Sequence, residues 1–164
     1  MMLLVLTTAT AVGCTDSLWS TSVRELSVTH RPGFAPPPAL PTEECPGEIT
    51  EDTLSVVRLI ASSRSCVPDD SRPGALALQA ASHGMTQDEL DTLVPLLQRL
   101  EIVDPVGCPS DAPSVVLTVT TATETTSYLD ARYACNAGSQ LAVDGEALDQ
   151  VSQAIHALAI SDGR

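Results

Sequence analysis

The stretch SVVLTVTTATETTSYLDARYAC, residues 114–135, carries the strongest strand pattern in the chain. Val115, Leu117 and Val119 recur at every second position, which is the period of a strand with one buried face. A polar turn of Thr, Ala and Glu follows, and residues 128–133 alternate again. The stretch therefore predicts an antiparallel β-hairpin, whose two outer ends lie side by side.

Two amphipathic helices are predicted, one before and one after this hairpin. Thr86 and Glu89 have the spacing of a capping box, and leucines follow on one helical face, so a helix is expected over 87–101. Pro95 lies inside it and predicts a kink. The second helix starts after Asp144, an N-cap residue. Its apolar stripe consists of Leu148, Val151, Ile155 and Leu158.

The first half of the chain repeats this order of elements weakly. Residues 53–63 form a β-branched apolar run that predicts a strand, whereas residues 75–83 fit a strand by alternation or a helix by their Ala and Leu content. If the latter form a strand, both halves run strand, strand, helix. That repeat predicts an α+β domain of order ββαββα, with an antiparallel four-stranded sheet, two helices on one face and two disulfides.

The first fourteen residues, MMLLVLTTATAVGC, contain no charged side chain. Residues 1–13 are shorter than the roughly 20 residues of a membrane-spanning helix and have the length of a signal peptide's apolar region. The ending Ala11-Val12-Gly13-Cys14 resembles the lipobox of bacterial lipoproteins, with Ala11 where that motif usually has Leu. The resemblance implies cleavage before Cys14 and a diacylglycerol on its thiol. Thr15, and not Asp, follows Cys14. By resemblance to the sorting rule of Gram-negative lipoproteins, this implies transport to the outer membrane.

The five cysteines are an odd number for an exported protein. Lipidation of Cys14 leaves four, and none of their spacings is C-x-x-C, so two disulfides are favoured over a metal site. Four cysteines allow three pairings. The adjacent ends of the hairpin favour Cys108 with Cys135, and Cys45 with Cys66 then follows by elimination.

The segment between Cys14 and the domain is rich in Ser, Thr and Pro and includes APPPALP. Consecutive prolines remove N–H donors and favour an extended polyproline II conformation. Three segments are therefore expected. Residues 1–13 form a signal peptide, residues 14–47 a lipidated Pro/Ser/Thr-rich tether, and residues 48–164 a small α+β domain.

The composition excludes several classes of partner. Asp and Glu total 21 against 8 arginines, the chain has no lysine, and the formal net charge is −13. That charge disfavours nucleic acids and anionic lipid surfaces. Only four aromatic residues are present, so bases or sugars find little to stack on. Membrane attachment is therefore expected through the lipid on Cys14.

Motifs of catalysis are missing from the sequence. Without lysine there is no P-loop or Schiff-base chemistry, and no Gly-x-Ser-x-Gly or His-Glu-x-x-His occurs. His30, His83 and His156 have no partner at ligand spacing, and acidic pairs such as Asp69-Asp70 have the character of solvated charge. The sequence predicts no enzyme, no cofactor and no metal. A hydrolase whose carboxylate site is assembled from distant residues remains an alternative.

The hairpin offers a candidate interaction face. Helices on one side of a sheet leave the other side open, and Tyr with Arg is typical of protein interfaces. The residues expected on that open side are Thr118, Thr120, Tyr128, Asp130 and Arg132.

The order of elements over residues 53–159 is similar in outline to small bacterial protease-inhibitor modules of the emfourin type. This similarity implies a binding or inhibitory role and assigns no individual residue. We therefore expect a lipoprotein of the bacterial cell envelope, anchored in the outer membrane or facing the periplasm, whose monomeric domain binds a protein partner. A structural envelope lipoprotein without a specific ligand is the alternative.

Overall fold

The computed structural model describes residues 17–33, 40–107, 113–134 and 141–161. These residues form one sheet and two helices. The strands are β1 Val23–Arg31, β2 Ile49–Ser55, β3 Ile60–Pro68, β4 Leu76–Gly84, β5 Ile102–Val103, β6 Ser114–Thr121, β7 Thr125–Asp130 and β8 Ala142–Val143. The helices are α1 Gln87–Leu97 and α2 Gly145–Ala159.

The sheet has eight strands in the order β4-β3-β2-β1-β6-β7-β8-β5. Its pairs are antiparallel except β7 with β8, which is parallel, so the sheet is mixed. The predicted four-stranded antiparallel sheet of order ββαββα is therefore wrong. Four strands were missed: β1, one strand of the β2–β3 hairpin, and the two-residue strands β5 and β8, which are too short to show a pattern.

The turn of the missed hairpin lies within residues 53–63, which were predicted to be a single strand. Residues 56–59 form a tight turn that separates β2 from β3. The turn contains no Gly, Pro or Asn, and Leu59 supplies the left-handed conformation with φ of 52°. A branched residue rarely adopts this conformation, so the sequence gives no sign of the turn. Of residues 75–83, left open between strand and helix, residues 76–83 belong to strand β4, and Ala75 forms an isolated bridge just before it.

The missed strand is β1, within the segment predicted to be an unpacked tether. β1 lies at the centre of the sheet, antiparallel to both β2 and β6. Leu26 and Val28 are buried in the main core, at 1% and 0% exposure. The tether prediction is therefore wrong for Val23–Arg31, whose short apolar alternation was masked by Ser, Thr and Pro around it. Cys14 and residues 34–39 lie outside the described residues.

The core lies between the sheet and the two helices. The inward residues of the central strands and the stripes of both helices belong to one apolar cluster. Its fully buried members include Leu54, Leu117, Leu148 and Ile155, and complete burial of one such side chain stabilises the fold by about 1.5–3 kcal/mol. α2 packs on β2, β3 and β4 and also contacts α1. Both helices thus cover one face of the sheet and leave the other face without helices.

Local signals at the helix starts are confirmed. The backbone N–H of Thr86 donates to Glu89 at 2.7 Å, and the N–H of Glu89 donates to the Thr86 hydroxyl at 3.3 Å. Asp144 caps α2 by accepting from the N–H of Ala147 at 2.7 Å. α1 contains Pro95 and ends at Leu97, before the predicted end at residue 101. No helix in the described part of the chain has the length and apolarity to cross a bilayer.

A disulfide joins Cys45 to Cys66, as predicted, with 5.5 Å between their Cα atoms. It ties the segment before β2 to β3, and both half-cystines are buried in a small cluster with Leu76. Two disulfides were predicted, whereas the described residues contain this one. Cys108 and Cys135 lie outside them.

A chain that begins at Leu40 is expected not to fold, because it lacks β1. It keeps the Cys45–Cys66 disulfide, so a missing disulfide would not explain the result. Without β1 the sheet separates into β2–β4 and β5–β8, each with an open apolar face. A chain that begins at Ser17 retains every described element and is the matched control. Thermal unfolding followed by circular dichroism should be cooperative for the longer chain alone; cooperative unfolding of both would refute the central role of β1.

Candidate functional site

A polar cluster lies between α2 and strands β1–β3. Asp52 on β2 is its centre and is 2% exposed. Ser152 on α2 donates its hydroxyl to Asp52 Oδ2 at 2.7 Å and lies 3.0 Å from His30 Nε2 on β1. His156 Nδ1, one turn further along α2, is 3.3 Å from Asp52 Oδ1 and 2.9 Å from Ser63 Oγ on β3.

These are the residue types of a nucleophilic hydrolase, but their connections differ from those of such a site. A catalytic histidine lies between serine and carboxylate and uses one ring nitrogen for each. In this cluster Ser152 lies between His30 and Asp52, and a single nitrogen of His156 contacts both Ser63 and Asp52. Ser152 is 5% exposed beneath the helix. The geometry therefore activates no nucleophile, and the cluster contains one carboxylate rather than a pair.

The cluster instead positions α2 on the sheet. A buried carboxylate without donors costs several kcal/mol, so Asp52 requires the groups that surround it. Ser152 and His156 are four residues apart and share one face of the helix, so both reach Asp52 in a single position of α2. No buried side-chain nitrogen or oxygen among the described residues lacks a hydrogen-bond partner.

Sequence reasoning missed this cluster because its contacts join residues 93 to 122 positions apart. Two signals were nevertheless present. Asp52 occupies the same inward phase of β2 as Leu54, and Ser152 interrupts the apolar stripe of α2 between Val151 and Ile155. A polar residue at an inward position requires a buried partner, although the sequence does not say which one.

The structure does not bring together on one face the residues predicted to form the interaction surface: Thr118, Thr120, Tyr128, Asp130 and Arg132. Thr120 pairs with Thr125, so the even-numbered residues of β6 share a face with the odd-numbered residues of β7. Thr118 and Thr120 therefore lie on the helix-free face. Tyr128 packs against the main core, and Asp130 is fully buried.

Arg132, the last of these residues, is held by two carboxylates. Its Nη2 is 2.6 Å from Asp130 Oδ2, and its Nη1 is 2.8 Å from Asp149 Oδ2 on α2. The hydrogen bonds to Asp130 and then to Asp149 raise the pKa of Arg132 above its usual value. Gly145 passes so close to the Asp130–Arg132 pair that a Cβ there would clash with both side chains. The pair therefore joins the end of β7 to the start of α2, which is a structural role.

The helix-free face carries a row of aligned hydroxyl side chains, one from each of six adjacent strands. Direct pairing across the sheet places them in register. From β4 to β7 this hydroxyl row consists of Ser82, Ser62, Thr53, Ser27, Thr118 and Ser127. Thr53 donates to the Ser27 hydroxyl at 3.3 Å, and the Thr118 and Ser127 hydroxyls are 3.4 Å apart. Since neighbouring strands lie about 4.8 Å apart, the row is roughly 24 Å long.

Polar groups continue beside the hydroxyl row. Glu51 accepts from the Ser27 hydroxyl at 3.1 Å, and Glu25 forms an exposed ion pair with Arg58 at 3.4 Å. A depression with a volume of about 230 Å³ adjoins them. Its lining residues are Thr29, Arg31, Ser114 and Val116. This face therefore offers many hydrogen-bond donors and acceptors.

Comparison with known protein families and with curated protein sequences found no match to this chain. Within residues 17–33, 40–107, 113–134 and 141–161, no group of three or more His, Cys, Asp or Glu side chains is arranged to hold a metal ion.

Ser152→Ala should lower the free energy of unfolding by about 1–3 kcal/mol, because buried Asp52 and half-buried His30 would each lose a hydrogen-bond partner. Gln153→Ala, at the next and exposed position of α2, is the control and should change it by less than about 0.5 kcal/mol. Urea denaturation followed by circular dichroism measures both. If Ser152→Ala proves as stable as the parent, the cluster does not hold α2.

Proposed function

We propose that this chain is a lipid-anchored lipoprotein of the bacterial cell envelope whose domain binds a protein partner and performs no catalysis. The observation that carries the proposal is the helix-free face, where the hydroxyl row crosses six strands. Both helices pack on the opposite side. At one end of this face Cys45 packs on Cys66 and Leu76, and the hydroxyl row lies beyond that cluster as its polar part. An inhibitory role would use the same surface.

A protein partner is favoured over a glycan by the positions of the aromatic residues. Sugar-binding surfaces stack rings against aromatic side chains. The described aromatic residues, Trp19, Tyr128 and Tyr133, all pack against the main core, on the helix side. Among the described residues, the hydroxyl row therefore has hydrogen-bonding groups but no aromatic side chain on which a sugar could stack.

The anchor would hold the domain close to the membrane. β1 begins at Val23, nine residues after Cys14. A fully extended chain of that length spans at most about 30 Å. The partner would therefore be another component at the membrane surface or in the space beside it.

Cys14→Ala is expected to release the protein from the membrane fraction, because the acylated thiol is the proposed attachment. Cys45→Ala, which removes a disulfide cysteine instead, should stay in that fraction. Intact mass of the membrane-extracted parent should correspond to a chain that begins at Cys14 and carries a diacylglycerol. An unmodified chain that begins at Met1 would overturn the anchor without affecting the binding surface.

Thr53→Arg is expected to abolish retention of the partner by the immobilised chain from Ser17 onward, because it puts a bulky charge at the centre of the hydroxyl row. Gln153→Arg makes the same addition on the exposed side of α2 and should leave retention unchanged. Circular dichroism checks that both variants are folded. Equal retention by the two variants would reject the helix-free face as the binding surface, and no stoichiometric partner with the parent would favour a purely structural lipoprotein.

A further inference from the structure

The two edges of the sheet are protected to very different degrees. One edge is β5, which has two residues and is followed by Asp104 and Pro105, an acid and a residue without an N–H donor. Short length, charge and proline all discourage pairing with another strand. The other edge is β4, which has nine residues and pairs with β3 without a bulge from Leu76 to Gly84.

β4 lacks the features that protect natural edge strands. Its sequence, LALQAASHG, contains no Pro, Asp, Glu, Lys or Arg. Among the described residues, one isolated β-bridge lies near its outer side. This bridge joins Leu40 to Ala75, the residue just before the strand begins. Every second residue of an edge strand directs its N–H and C=O away from the sheet. Among the described residues, nothing pairs with the outer edge of β4 itself, so this edge can accept another strand.

The surroundings of β4 are acidic. Carboxylates precede the strand, follow it, or lie next to the disulfide that ends on its neighbour β3: Asp69, Asp70, Asp88, Glu89, Glu43 and Glu44. Two arginines, Arg64 and Arg72, lie in the same region, and Arg72 pairs with Asp69 at 2.8 Å. Carboxylates thus outnumber cations at this edge.

Two of these carboxylates are held in the ionised form by hydrogen bonds. The Ser71 hydroxyl, followed by Arg72, lowers the pKa of Asp69 to about 2. The backbone N–H of Thr86 is the main cause that lowers the pKa of Glu89. An ionised carboxylate therefore lies near each end of β4, and the one at Asp69 is paired with Arg72.

We propose that β4 is the docking edge for an extended segment of a cationic protein, which adds to the sheet as a ninth strand. This inference rests on the proposed function and deepens it, because it names the class of partner. Main-chain hydrogen bonds supply affinity in this mode of binding, and alternate side chains supply specificity. Leu78, 37% exposed, and Ala80 face the helix-free side and would contact apolar side chains of the segment.

Charge decides between a cationic segment and a second copy of this chain. Each copy has a net charge of −13, so two copies repel one another, whereas basic side chains at the ends of a segment would face the carboxylates around β4. The cationic segment is therefore the occupant that the electrostatics favour.

The probe is a peptide of the length of β4, with alternating Thr and Val and an arginine at each end. Fluorescence anisotropy with the chain from Ser17 onward should show saturable binding. Replacing both arginines by glutamate, or N-methylating the peptide on the edge that faces β4, should each weaken it at least about tenfold. Hydrogen exchange of residues 76–84 should slow when the peptide binds.

The protein variant is Ala80→Lys, which adds a positive charge to the open edge. It should weaken peptide binding at least about tenfold, whereas Gln153→Lys, with the same charge change on α2, should not. Binding that survives N-methylation or Ala80→Lys would overturn the proposal. So would a concentration-dependent dimer of the chain alone in sedimentation equilibrium that Ala80→Lys abolishes, since the occupant would then be a second copy. The peptide assay needs neither the lipid anchor nor the natural partner. If the peptide results contradict the β4 proposal while the immobilised chain still retains its partner, the proposed function stands.

Discussion

The antiparallel pairing of β1 with both β2 and β6 is the constraint on which the rest of the structure depends. In the order of the described strands, β1 connects two halves of the sheet. One half consists of β2, β3 and β4, and the other of β6, β7, β8 and β5. Val28 pairs with Asp52 on one side and with Leu117 on the other, so the inward phase of one strand sets that of its neighbours. The apolar face beneath the helices and the hydroxyl row on the opposite face are two outcomes of this one register.

The polar cluster makes the position of α2 depend on the register of β1, β2 and β3. His30 comes from β1, Asp52 from β2 and Ser63 from β3, so their side chains meet because those three strands are adjacent. α2 then supplies Ser152 and His156 from one of its faces. Hydrogen bonds to a buried carboxylate depend more strongly on geometry than apolar packing does. The cluster therefore fixes α2 in one position, whereas apolar contacts alone would allow several.

Features that depend on nearby residues could be predicted from the sequence. The capping box at Thr86, the N-cap Asp144 and the alternation over β6 each involve residues within a few positions of one another. The turn at residues 56–59 could not, because Leu59 takes a conformation usually reserved for glycine. The interaction face was assigned the wrong phase on β7 because one residue more or less in the β6–β7 turn reverses which side chains point outward. The polar cluster depends on tertiary packing throughout, and only the inward phase of Asp52 and Ser152 indicated it.

The short distance from Cys14 to β1 has a consequence for orientation. A lipid on that cysteine would keep Ser17 near the headgroups, and Ser17 is already fixed in the domain: it forms a bridge with Glu101 and donates its hydroxyl to the Gln98 carbonyl at 3.0 Å. The part of the domain where α1 ends would then lie nearest the lipid surface. Such a domain would meet partners that diffuse laterally along the leaflet rather than those that descend on it from above.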